Sequence, residues 1–194
     1  YESRVPPHRD HILQLQNVDV QYSTFRTTRP ELICACGIVL VHPEDSRYSH
    51  LIGKEINLPL PVDGRSNKVL IKSHHSVKME FGSGVLMVCS FGDQNDVSVF
   101  RELGIDPFVA INLNGEMTEI SGPLSGLAVI EARKKAIELL GQENKLSFVK
   151  DHEQEIPVSE RGNNPVEIIL LKEWYVKQTH TLERMNELVS DINF

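Results

Sequence analysis

Asp93 and Asp96 stand three residues apart in FGDQNDV (91–97), and Thr27, Thr28 and Arg29 run together into Pro30 in TTRPE (27–31). Two carboxylates at that spacing on the first turn of a helix lie near one face. One use for them is local. Asp93 as N-cap and Asp96 at the third helical position would satisfy free backbone N–H groups and complement the helix dipole. The other use is chemical, because a carboxylate that faces a pocket holds an ammonium group. The two are compatible, since one aspartate can cap while the other points outward. By residue type alone, Arg29 reads as a solvated or ion-paired side chain. Thr27 and Thr28 read as strand residues whose branched shape suits a pleat, and Phe81 reads as core.

Familiar catalytic signatures do not compete with this pair. GSGVLM (82–87) lacks the third glycine of a dinucleotide fingerprint, and no phosphate-loop GK[ST] occurs. GSG is not a G-x-S-x-G nucleophile elbow. An enzyme with these residues would use water as its nucleophile. Cys34, Cys36 and Cys89 are the only cysteines, an odd number that argues against a disulfide scaffold and for a reducing compartment. Cys34 and Cys36 would share one strand face, but no second pair stands at zinc-type spacing. Packed thiols are the better reading. His74 and His75 are similarly isolated and read as a solvated loop pair.

The elements that must position the aspartates follow from pattern. His11 to Thr28 alternates loosely and predicts one or two strands. GIVLVHP (37–43) is an apolar run stopped by proline, a buried strand. EDSRYSHLIG predicts a short helical turn ending on Gly53. EINLPLP, NKVLI and GVLMVCS (84–90) predict strands, the first two separated by a turn at VDGRSN. Asp93 to Leu103 predicts a helix closed by Gly104, and PFVAINL a strand followed by an NGE turn. Leu127 to Leu140 is the clearest helix, with Leu127, Ile130, Ile137 and Leu140 near one face, Ala132 and Ala136 as small packing residues and Gly141 as its stop. KLSFVKD and VEIILL predict further strands, and TLERMNELVSDI a last helix. Strands outnumber helices and do not alternate with them, which excludes a doubly wound parallel sheet. The predicted fold class is α+β, a β-barrel-like mixed sheet core with peripheral helices.

The chain has 194 residues, 40% of them hydrophobic and 24% charged, the composition of one globular domain. No apolar run approaches the roughly 18 residues of a membrane helix. YESRVPPHRD lacks the apolar core of a signal peptide, so the expected location is cytoplasmic. A formal net charge of −7 argues against nucleic-acid binding through a broad basic field and leaves room for one local contact with RNA.

Taken in order, four stretches resemble the editing (CP1) domain of valyl-tRNA synthetase, a class I aminoacyl-tRNA synthetase. TTRPELICACGIVLVHPEDSRYSHLIGK is similar to the family's threonine-rich strand, Arg-Pro-Glu turn and following VHPED-RY-HL-GK segment. KMEFGSGVLMVCSFGDQNDV is similar to its FGTG strand and aspartate turn, and GEMTEISGPLSGLAVIEARKKAIELL to its GL…EARK helix. SERGNNPVEIILLKEWYVK resembles the segment that returns toward the catalytic core. The FGDQND form and Met87 resemble the archaeal-type branch. The common bacterial pattern has lysine where Met87 stands, histidine where Gly92 stands, and threonine where Leu32 and Cys89 stand. Ser159 and Gly162 replace cysteines that some relatives use to hold zinc, so no metal is expected.

The resemblance implies post-transfer editing: hydrolysis of the aminoacyl ester of mischarged threonyl-tRNA(Val) by an aminoacyl-tRNA deacylase domain. By analogy Asp96 anchors the α-ammonium, Asp93 reads the threonine hydroxyl and Thr27 completes the catalytic set. Thr28, Arg29, Phe81 and Cys89 join both aspartates in substrate binding, with Phe81 walling the side-chain pocket and Arg29 near the terminal adenosine or its phosphate. No cofactor is implied here, because ATP belongs to the absent catalytic domain. The implied partners are the acceptor end of tRNA(Val) and the rest of the synthetase in cis, with no membrane and a monomeric state. Residues 1–194 are expected as a single editing domain, with about 1–12 and about 173–194 as connections toward the catalytic core. The alternatives are an isoleucyl-type domain hydrolysing valyl-tRNA(Ile), a non-catalytic module holding the tRNA acceptor end, and an unrelated β-rich interaction domain.

Overall fold

A computed structural model describes residues 8–16, 24–64, 67–154, 156–160, 162 and 165–190. Its strands are β1 (His8–Gln16), β2 (Thr24–Thr27), β3 (Cys36–Val41), β4 (Glu55–Asn57), β5 (Lys68–Ser73), β6 (Val85–Cys89) and β7 (Leu146–Gln154). The helices are α1 (Gln94–Leu103), α2 (Val129–Gln142) and α3 (Leu182–Ser190), and short 3-10 turns lie between elements, such as Pro30–Ala35 between β2 and β3.

The apolar run CGIVLV becomes β3, the strand around which the core is arranged. It pairs in parallel with β5 (Val39 opposite Ile71) and antiparallel with β6 (Val39 opposite Met87). The sheet order is β4-β5-β3-β6. Side chains alternate across a strand, and here both faces are covered. Val39 and Val41 join the cluster packed under α2, while Ile38 and Leu40 join Val88, Val99 and Phe100 under α1. Gly37 is what lets α1 come this close, since a Cβ there would lie 2.6 Å from the ring of Phe100. The apolar content of β3 therefore fixes both the sheet and the helix that carries Asp96.

A second sheet, β2-β1-β7, is antiparallel throughout. β2 lies against β6, which brings the threonine-rich segment beside the strand leading to the aspartates. The expected mixed-sheet core with peripheral helices is present, and among the described residues the two sheets do not close into a barrel. His8 to Ile12, assigned above to an entering connection, run as strand opposite Lys150 to Gln154. Residues 1–7 and 191–194 of the expected connections lie outside the described residues.

Four expectations differ from the structure. Of PFVAINL only Ile111 forms a bridge, with Met117, because the chain doubles back at once through the Asn112–Glu116 turn. VEIILL is not a strand. Pro165 makes one bridge to Val158, and Leu170 and Leu171 are half exposed in an irregular segment. On α2 the expected Ala132, Ala136 and Leu140 are buried together with Val129, but Ile130 is 65% exposed. The two alanines let this face sit close on the Pro30–Ala35 turn, and that contact outweighs the larger apolar area of Ile130. Gly141 does not stop the helix. The reversal falls at Asn144, which takes the left-handed conformation (φ 54°) while the Lys145 N–H returns to the Leu140 carbonyl.

Candidate functional site

The site is built where β6 passes into α1. Ser90 is buried and pins the junction: its N–H donates to the Ala35 carbonyl at 2.9 Å and its Oγ accepts the Phe108 N–H at 2.8 Å. The chain then turns through Phe91 at φ 58°, a left-handed conformation that costs a bulky residue of order 1 kcal/mol or more. Gly92 and Asp93 follow, and α1 begins.

Asp93 is the N-cap. Its Oδ1 accepts the Asp96 backbone N–H at 2.8 Å, and the helix ends at Gly104 in the left-handed region, as the sequence predicts. Asp96 does not share that exposed position. Its Oδ2 turns back toward β6 and accepts the Cys89 N–H at 3.3 Å. The space it occupies is the space a Cβ on Gly92 would take, since such an atom would overlap Asp96 Oδ2. A histidine at position 92 has no room with Asp96 in this pose.

Burial pushes the Asp96 carboxyl up to about 7, and the neighbouring Asp93 charge adds to the effect. The Cys89 N–H and the Arg29 guanidinium act in the opposite direction without cancelling it. Asp96 is therefore poised to change protonation near neutral pH, the kind of perturbation found at functional sites. The two aspartates divide the roles that the sequence left open: Asp93 caps, and Asp96 faces inward. Replacing Asp93 with alanine should cost roughly 1 kcal/mol in denaturant unfolding through the lost cap. It should also lower the Asp96 pKa, read by NMR titration of its carboxyl carbon. An unchanged titration would remove the electrostatic link between the pair.

The TTRPE turn meets this junction through Arg29. Its guanidinium donates to the Gly92 carbonyl at 3.4 Å, to Glu31 at 2.9 Å and to Glu167 at 2.6 Å. Burial works against the Arg29 charge, and Glu31 and Glu167 overcome it, leaving its pKa above the ordinary value. Arg29 is thus a strut tying three segments together. These contacts leave it fewer free donors for a phosphate than the resemblance implies. Thr27 Oγ1 accepts the Arg29 N–H at 3.0 Å and shapes the turn, and Thr28 is half buried beside it.

Glu31, Arg133 and Glu167 complete the strut. Glu31 is fully buried, and Arg133 approaches it with two nitrogens, at 2.9 and 3.0 Å. All three stand inside the stretches PEL, EARK and PVE, where nothing in the spacing assigns them a role. The available signal was Glu31 itself, a lone carboxylate heading an apolar run.

The remaining candidates lie at the edges. Cys89 is buried, and a hydrogen bond with Cys36 followed by burial pushes its thiol well up, so it stays neutral and unsuited to nucleophilic attack. Its backbone N–H, not its side chain, meets Asp96. Phe81 is 81% exposed, which fits neither a core residue nor the closed wall of a small pocket. A separate recess of about 320 Å³ lies between α1 and residues 168–175, lined by Phe91, Val97, Arg101, Ile169 and Tyr175, and Asp96 is not on it.

No family model matches the chain. Valine–tRNA ligases of archaea do. That of Methanocaldococcus jannaschii is 41% identical over 168 residues, covering 87% of this chain and 19% of that protein. Those of Thermoplasma acidophilum (40% over 154 residues, 79% and 19%) and Nanoarchaeum equitans (38% over 173 residues, 89% and 22%) are similar. The chain belongs to the valyl-tRNA synthetase family. It spans about a fifth of the length of these synthetases. Its fold is that of a CP1 domain: the crystal structure of GlLeuRS-CP1 superposes with a TM-score of 0.51 at 12% identity, covering 74% of this chain and 99% of that one. The archaeal-type features of the sequence agree with the archaeal origin of these synthetases.

Proposed function

We propose that this domain hydrolyses threonine from mischarged valine tRNA as the editing domain of a cytoplasmic valyl-tRNA synthetase. The observation that carries the reading is the inward Asp96 carboxyl, half buried and braced between the Cys89 N–H and the charge of Arg29. A carboxylate in that setting suits an α-ammonium, since a charge-assisted hydrogen bond is short and directional. The membership in a valine-charging family supplies the need. Threonine and valine are nearly isosteric, and valyl-tRNA synthetase against threonine is itself the standard example of discrimination limited to roughly 10²-fold. A second site that hydrogen-bonds the threonine hydroxyl rejects valine by leaving its own polar groups unpaired.

The bond to be broken is an activated ester, so holding a water beside its carbonyl carbon supplies much of the rate. Water adds to that carbon, the ester C–O bond breaks, and the terminal ribose hydroxyl leaves as it regains a proton. The chain contributes position: Asp96 holds the ammonium, Asp93 caps the helix that carries it, and Thr27 shapes the turn of Arg29. The rest of the synthetase in cis would bring the tRNA. The test is deacylation of threonyl-, valyl- and isoleucyl-tRNA by the chain. Preferential loss of threonine is the expected result. Preferential loss of valine would assign an isoleucyl-type site, and binding without loss of any ester would leave an acceptor-end module.

A further inference from the structure

Phe81 sits on a turn that is fixed from outside. The turn runs Met79-Glu80-Phe81-Gly82-Ser83-Gly84, with Gly82 at φ 64° and Gly84 at φ 79°, conformations that glycine adopts freely. Two side chains from the VHPEDSRY segment reach its main chain on either side of the phenylalanine. Arg47 donates to the Met79 carbonyl at 2.8 Å, and the Tyr48 hydroxyl donates to the Ser83 carbonyl at 2.8 Å. Arg47 is itself held by Asp45, which is 4% exposed and accepts from its Nε at 2.9 Å and its terminal nitrogen at 2.6 Å. The guanidinium also lies 5.2 Å from the Tyr48 ring centroid. Gly84 makes room for this arrangement, because a Cβ there would stand 2.5 Å from Arg47.

What the clamp presents is an open aromatic ring. Gly82 lies close enough to Arg26 of β2 that an added Cβ would be 3.6 Å from its Cδ, so the turn stands beside the strand that leads into Thr27 and Thr28. A turn needed only to join two strands gains nothing from an exposed phenylalanine. A ring with free faces, held still beside a site for an RNA-borne ester, suits a planar base by stacking. We propose that Asp45, Arg47 and Tyr48 are positioning residues that hold Phe81 against the RNA end of the substrate. The proposal rests on the hydrolytic reading above.

The test is a double-mutant cycle on deacylation of threonyl-tRNA by the full chain, with kcat and KM separated. Phe81→Ala should raise KM about tenfold with kcat little changed. Tyr48→Phe, which removes only the hydroxyl, should raise KM by roughly fivefold, as one lost neutral hydrogen bond would. In the Phe81→Ala background it should do nothing further. Arg47→Met should behave in the same way, with thermal unfolding checked because it also strips Asp45 of its partner. Additive effects of Tyr48→Phe and Phe81→Ala would overturn the proposal, as would a KM that Phe81→Ala leaves unmoved. If the unaltered chain hydrolyses no ester, the hydrolytic reading fails first and takes the proposal with it. Activity with additive variants would sink the clamp alone.

Discussion

Asp96→Asn should cut threonyl-tRNA deacylation about a hundredfold and raise the unfolding midpoint in the same protein. The loss follows from charge, because an amide cannot replace a carboxylate opposite an ammonium. A contact of that kind is worth roughly 3 kcal/mol, or about a hundredfold in kcat/KM. The gain follows from the raised pKa. The Asp96 carboxyl titrates at about 7 when folded against 3.8 for the free side chain, with burial as the main cause. Below pH 3.8 both states hold the proton and the group is neutral to stability. As pH rises from there the unfolded chain ionises while the folded one does not, so folding is progressively disfavoured until about pH 7. Asparagine removes that penalty and keeps an oxygen for the Cys89 N–H. At pH 8 the variant should be more stable by ~1–3 kcal/mol, and near pH 4 by almost nothing. The same titration sets the activity profile. Deacylation should climb with pH through about 7, corrected for spontaneous ester hydrolysis, as Asp96 acquires the charge that binds the ammonium. A flat profile with Asp96→Asn still fully active would remove Asp96 from the reaction.

The sequence was legible where one residue type has one physical use. Asp93 and Gly104 bound α1 as predicted because a capping carboxylate and a left-handed glycine are local devices. The apolar run at β3 was readable for the same reason. Asp96 could be named but not placed, since its inward turn depends on the empty space at Gly92 and on a strand end seven residues back. Arg29 and Phe81 were named on resemblance, and the structure shows what spacing could not. One is tied between Glu31 and Glu167, and the other stands in the open. On α2 the packing of Ala132, Ala136 and Leu140 was readable, while Ile130 was misjudged because periodicity weighs side-chain size and the close approach of the alanines sets the face. VEIILL failed as a strand because an apolar run specifies burial, and among the described residues no strand lies beside it to pair with. Its half-exposed side chains, with Trp174 and Tyr175 beyond them, leave apolar surface uncovered in this segment.

Glu31→Gln should be the most destabilising single change in the protein outside its apolar core. Glu31 has no exposed surface and accepts from both Arg29 and Arg133. Glutamine preserves shape but leaves two guanidinium groups facing an amide that carries no charge and can turn only one oxygen toward them. Breaking a buried ion pair from one side costs ~3–5 kcal/mol, a large part of the 5–15 kcal/mol that holds a domain together. The damage should also reach the site, because Arg29 is the link from the TTRPE turn to the Gly92 carbonyl and lowers the Asp96 pKa. Replacing both partners separates these effects. Glu31→Leu with Arg133→Leu removes one charge of each sign and leaves Arg29 its pair with Glu167. Apolar substitutes for a buried pair are often neutral or stabilising, so denaturant unfolding should show the double variant recovering much of what Glu31→Gln loses. Deacylation should recover less, since Arg29 is then held from one side only. Equal recovery of fold and activity would mean that Glu31 serves stability alone and that Arg29 needs no second anchor to brace the aspartate turn.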